Sequence, residues 1–192
     1  MIKKYFRDNK IHKKIVPKFD LLFLPNLIWL FAVWTLLSVG MVSAELHSGD
    51  IEIWQTQFNW ITIVIFIAFS LRAGAANLLF QITYPKSFHN SNIKSFVGDK
   101  YSEEKIKKLA NILGVMSIIL LFIKPILLLM GITLFFVWSI LLNSQKFKWY
   151  SNPILGVVGY FLIASILFIS GWLIVDDSLL NISDILISML PY

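Results

Sequence analysis

The chain has 192 residues, 57% hydrophobic and only 15% charged, with a formal net charge of +6 and no cysteine. An ordinary soluble domain carries about a quarter of its residues charged, so this balance argues against one. The missing thiols exclude disulfides, iron–sulfur clusters and cysteine-held zinc.

The apolar residues gather into nearly charge-free runs: Leu21–Val42, Phe58–Tyr84 (interrupted by Arg72), Leu109–Ile123, Ile126–Leu142 and Ile154–Val175. A helix crosses the hydrocarbon core with roughly 20 such residues. The chain therefore reads as an all-α, polytopic helical membrane protein with one transmembrane domain over 1–192. Five spans are expected, plus a short sixth span or interfacial helix.

In chain order, 1–18 is a basic arm with Lys3, Lys4, Arg7, Lys10, Lys13, Lys14 and Lys18. Basic residues before an apolar run also open a signal peptide, but the apolar core of one is only about 7–15 residues long. Leu21–Val42, with Pro25, Trp29 and Trp34, is thus the first span. Glu45–Glu52 is an acidic outer loop. Trp54 and Trp60 are interfacial anchors for the second span, which Pro85 closes.

The loop 85–104 is basic and ends in Ser102-Glu103-Glu104-Lys105, a cap followed by first-turn acids. The third span is Lys105–Ile123. Lys124-Pro125 turns outward into the fourth, Ile126–Leu142, and Asn143–Tyr150 brings Lys146 and Lys148 back to the basic side. Ser151-Asn152-Pro153 is a cap followed by Pro at the first position of the fifth helix, and Gly156 and Gly159 permit close packing. Asp176 and Asp177 mark its outer end. Leu179–Leu190, broken by Asn181 and Asp184, is the sixth span or interfacial helix.

On this threading every Lys and Arg falls on one side except Arg72 and Lys124, while Glu45, Asp50, Glu52, Asp176 and Asp177 fall on the other. The positive-inside rule then puts the amino terminus in the cytoplasm, and the protein in the inner membrane if the cell is bacterial. Positive charge placed beside spans meets anionic lipid headgroups, so membrane lipids rather than nucleic acid are the expected partners.

The stretch Ser70–Lys108 is where a site is expected. Ser70, Gly74, Asn77 and Gln81 recur at helical spacing, and small and polar residues inside a span face protein or a cavity rather than lipid. Arg72 lies in the same span, where a charge is costly and marks a site or an internal partner. His12, His47 and His89 sit on separate segments. No Ser–His–Asp set, nucleotide-binding glycine loop or carboxylate pair stands out, so no catalytic or metal-binding residue is assigned.

This pattern resembles the amino-terminal part of the UbiA superfamily of intramembrane prenyltransferases, over Pro17 to about Val175. That family carries Asn-Asp-x-x-Asp-x-x-x-Asp near the cytoplasmic end of its second span, and Asn77 takes the place of the leading Asn. Arg72-Ala73-Gly74-Ala75-Ala76 resembles the small run before it. Lys94-Ser95-Phe96-Val97-Gly98-Asp99-Lys100-Tyr101-Ser102 resembles the family's Arg-Pro-Leu-x-Ser-Gly-x-Ile-Ser, and Lys148–Gly156 the entry to its fifth span.

The resemblance implies a UbiA-like helix bundle and transfer of an isoprenyl group from its diphosphate, with magnesium held by the aspartates. Those aspartates fall here on Leu78, Gln81 and Pro85, and the family's second Asp-rich motif would come after this chain ends. Prenyl transfer by the chain alone is therefore not expected, and magnesium enters only if a partner supplies the missing carboxylates. Arg72, Asn77, Gln81, Lys94 and Lys100 are the residues expected to contact an anionic lipid.

Three functions follow as expectations. The first is a catalytically degenerate bundle cradling an isoprenoid lipid, quinone or pigment tail. The second is a small accessory subunit of a larger membrane complex. The third is one half of a split prenyltransferase completed by another membrane protein.

Overall fold

A computed structural model describes residues 27–48, 59–83, 102–142, 146–147, 149–176, 185 and 187. Five long helical segments make up almost all of these: α1 (Leu27–Ser48), α2 (Trp60–Thr83), α3 (Glu103–Leu121), α4 (Pro125–Phe135) and α5 (Pro153–Val175). Between α4 and α5 lie a π-helical turn, Phe136–Leu142, which prolongs α4, and a short 3-10 turn, Trp149–Ser151. The arm 1–18, most of the loop 85–104 and nearly all of Leu179–Leu190 lie outside the described residues.

Among the described residues four segments are long and apolar enough to cross a membrane: Trp29–His47, Trp60–Phe80, Pro125–Leu142 and Pro153–Val175. The third expected span does form a helix, but Glu103, Glu104, Lys105, Lys107 and Lys108 occupy its first turns. Its apolar part is correspondingly short.

The neighbours of each helix fix its direction. Trp29 meets the Tyr160 ring, with centroids 6.0 Å apart, and His47 meets Trp172 at 5.6 Å, so α1 and α5 run parallel. In α2 and α3, Arg72 meets Gly114 while Leu78 clusters with Ile106 and Ala110, an antiparallel pair. The Lys124 ammonium, just before α4, reaches the last turn of α5. The path alternates up and down through all five helices, and α1 and α5 can be parallel only because α3 runs from one end of the bundle to the other.

Capping accounts for several helix starts. The Asn152 side chain accepts from the amides of Ile154 (3.0 Å) and Leu155 (3.2 Å), and Pro153 follows at the first helical position. Asn59 does the same for α2 by accepting from the Thr62 amide at 2.9 Å. Ser102 precedes α3 in extended conformation but its side chain makes no capping bond. The start of α3 is instead supported by first-turn glutamates, and Glu103 pairs with Lys107 one turn on at 2.7 Å.

The first helix departs from its expected bounds. It continues through Ser43–Ser48, so Glu45 lies in α1 and not in an outer loop. Glu45 is buried, and Ala44 packs with Phe168 and Trp172 of α5. Contact with a neighbouring helix, not apolarity, extends α1 past Val42. Ile185, from the carboxy-terminal piece, is buried in the same cluster.

Gly40 and Gly171 bring α1 and α5 into backbone contact. A Cβ on Gly40 would lie 2.1 Å from the Phe168 carbonyl oxygen, and one on Gly171 would lie 2.1 Å from that of Leu37. Small residues at helix crossings in membranes serve this close approach. The main core, including Leu37, Phe66, Phe69, Leu127, Trp138 and Leu167, fills the space between α1, α2, α4 and α5.

Candidate functional site

The centre of the bundle is α2. From Arg72 to Leu78 every residue is buried, so this stretch is enclosed on all sides and does not present one protected stripe. Burial all round marks a helix inside a bundle. On one flank Ser70 accepts from the Trp34 indole at 2.8 Å and donates to the Phe66 carbonyl at 2.7 Å. That ties α2 to α1.

On another flank lies Arg72, midway along α2 and only 3% exposed. Its Nη2 donates to the Gly114 carbonyl of α3 at 3.0 Å. Its guanidinium carbon lies 5.0 Å from the centre of the Phe135 ring of α4, a cation–π contact. Gly114 makes room, since a Cβ there would stand 3.5 Å from Nη1. The Arg72 Nε is buried and has no hydrogen-bond partner among the described residues.

Two further hydroxyls share that condition nearby along the helices. Ser117, one turn beyond Gly114, is fully buried, and Ser139, one turn beyond Phe135, is half-buried; neither Oγ has a partner among the described residues. The Trp172 indole N–H, on the α1–α5 side, is also buried without an acceptor among the described residues.

Of the other expected site residues, only Asn77 is described with its side chain. Asn77 is 6% exposed and lies in the buried stretch of α2. Lys94 and Lys100 lie outside the described residues, as does the Gln81 side chain. Leu78, next to Asn77, is fully buried among Ala75, Ile106, Ala110 and Leu113. Among the described residues no three or more His, Cys, Asp or Glu side chains are grouped as metal ligands.

A concavity among the described residues lies elsewhere. A groove of about 520 Å³ follows the exposed face of α3, with Glu104, Lys107, Lys108 and Asn111 at one end and Ile112, Val115 and Met116 along the rest. Lys105 and Ile119 continue the same helix face and are exposed. Lys107 is held by Glu103, whereas Lys105 and Lys108 form no ion pair among the described residues.

No protein-family model, curated protein or solved structure matches this chain. The groove was not foreseen from the sequence, although its signal was there. Lys105, Lys108, Ile112 and Met116 recur at spacings of three and four, and so does the apolar series 112, 115, 116, 119. A charged start to a span hid that periodicity.

Proposed function

We propose that this protein is an integral-membrane lipid-binding bundle, holding an amphiphilic isoprenoid lipid with an anionic headgroup along α3. The observation that carries this reading is the α3 groove. Lys105 and Lys108, without ion pairs among the described residues, stand at one end of the face, and Ile112, Val115, Met116 and Ile119 form the rest. A phosphate beside the ammonium groups and a hydrocarbon chain along the apolar side chains complement both ends.

In this reading α3 is the fifth crossing. Its 19 residues extend about 28 Å, and the parallel setting of α1 and α5 supports a run along the bundle. Its lysines then join the basic segments at the cytoplasmic face, with the amino terminus on that side.

The likeness to UbiA prenyltransferases belongs to the same proposal, as ancestry without the chemistry. The position of a family aspartate is Leu78, sealed in an apolar cluster, and a side chain without oxygen does not fit magnesium. No metal-dependent step is therefore derived for this chain. The alternative, an accessory subunit, draws on Ile154, Val157 and Phe161, an exposed apolar row along α5 that a partner helix would cover.

The test fills the groove. Met116→Trp and Lys108→Glu in the full chain, purified in mild detergent, should each lower co-purifying isoprenoid lipid at least about fivefold with the fold intact. Unchanged lipid content in both variants would contradict the reading. Magnesium-dependent prenyl transfer by the purified chain would contradict the loss of catalysis.

A further inference from the structure

Arg72 carries a charge that no described carboxylate balances. An arginine side chain stays protonated and offers five N–H donors in a fixed fork. Here one donor meets a carbonyl that already serves the hydrogen-bond ladder of α3, Phe135 covers a face, and Nε–H meets no acceptor among the described residues. The described carboxylates, Glu45, Glu103, Glu104 and Asp176, all lie in the first or last turn of a helix or just beyond it, while Arg72 lies midway along α2. A buried charge without a counter-charge is strongly destabilising, and an ionisable group inside a span is by default functional.

The Arg72 Nε–H is a buried donor lacking an acceptor among the described residues. A ligand rich in acceptor oxygens and negatively charged suits the arginine, and an apolar or cationic one does not. Gly114 is buried at the edge of the face of α3 that carries Asn111 and Val115 of the groove, and a Cβ on it would stand 3.5 Å from Nη1, so a larger side chain there would crowd the guanidinium.

We propose that Arg72 is the core of an intramembrane anion site, reached past Gly114, which accepts a phosphate-type oxyanion. The site is independent of the lipid reading for the groove, since a water-borne anion and a lipid headgroup share this chemistry.

The chain has two arginines, Arg7 and Arg72, so the full protein labelled with ¹⁵N-arginine gives two Nε–H signals, and Arg72→Lys assigns them. One sample, in phosphatidylcholine nanodiscs, is titrated with inorganic phosphate. A second is placed in nanodiscs containing phosphatidylglycerol. The proposal expects the Arg72 signal to move while that of Arg7 in phosphate-titrated samples stays within the change produced by equal ionic strength of chloride. Movement in the first sample identifies an aqueous anion, and movement in the second alone a headgroup. Gly114→Val should weaken either response at least about tenfold, with thermal unfolding confirming that the variant folds. An Arg72 signal unmoved in both samples, as with a buried water as its acceptor, would overturn the proposal. So would an unaltered response in folded Gly114→Val.

Discussion

The bundle has two differently made seams. Between α1 and α5 the backbones touch at Gly40 and Gly171, and the last turn of α5 is closed by Lys124, whose Nζ donates to the carbonyls of Leu173 (3.2 Å) and Ile174 (3.0 Å). Between α2 and α3 an arginine is wedged against Gly114 with a single hydrogen bond. Arg72 and Lys124 are the two basic residues that the alternation of charge leaves over, and their fates differ because of where they sit. A helix end has carbonyls without partners and the negative pole of its dipole, so a lysine there is well matched. The middle of a helix has no spare carbonyls, so a charge there stays short of acceptors.

The largest effect should come from the backbone seam. Gly40→Ala forces a methyl into the Phe168 carbonyl and should destabilise by about 3 kcal/mol, read as a lower Tm in detergent micelles. A variant as stable as the parent would mean that α1 and α5 are not in contact there. Next, Lys124→Met removes two charge-assisted bonds and should cost about 2 kcal/mol by the same measurement.

Arg72→Met should have the opposite sign. In phosphatidylcholine without added anion, removing an incompletely matched buried charge should raise stability by about 1 kcal/mol. A loss of 2 kcal/mol or more would make Arg72 as well matched as Lys124 and dissolve the comparison. Gly114→Ala should change stability least, within about 1 kcal/mol of zero, because a Cβ at 3.5 Å is an ordinary contact and alanine favours helix.

The helices themselves were legible because lipid imposes long apolar runs. The start of α5 was legible because Asn152-Pro153 is a cap with a chemical reason. What escaped was set by packing between helices. Glu45 continues α1 because its helix turn is covered by α5, which a hydropathy boundary cannot register. The change from α to π at Phe136 leaves no mark in an unbroken apolar run. Gly74 and Asn77, expected on one stripe of α2, are enclosed together with their neighbours, since Ala73, Ala75 and Ala76 are small enough for helices to close on every side. The groove on α3 was masked by the lysines that make it amphipathic.

The most direct test of the lipid-binding reading is native mass spectrometry of the full chain, extracted gently from its own membrane and stripped of bound species stepwise. The account predicts one chain retaining an acidic isoprenoid lipid after bulk phospholipid has left, with that retention lost in Lys108→Glu. A chain that sheds every lipid at once, or that leaves the membrane only in stoichiometric complex with another protein and no isoprenoid, would contradict it.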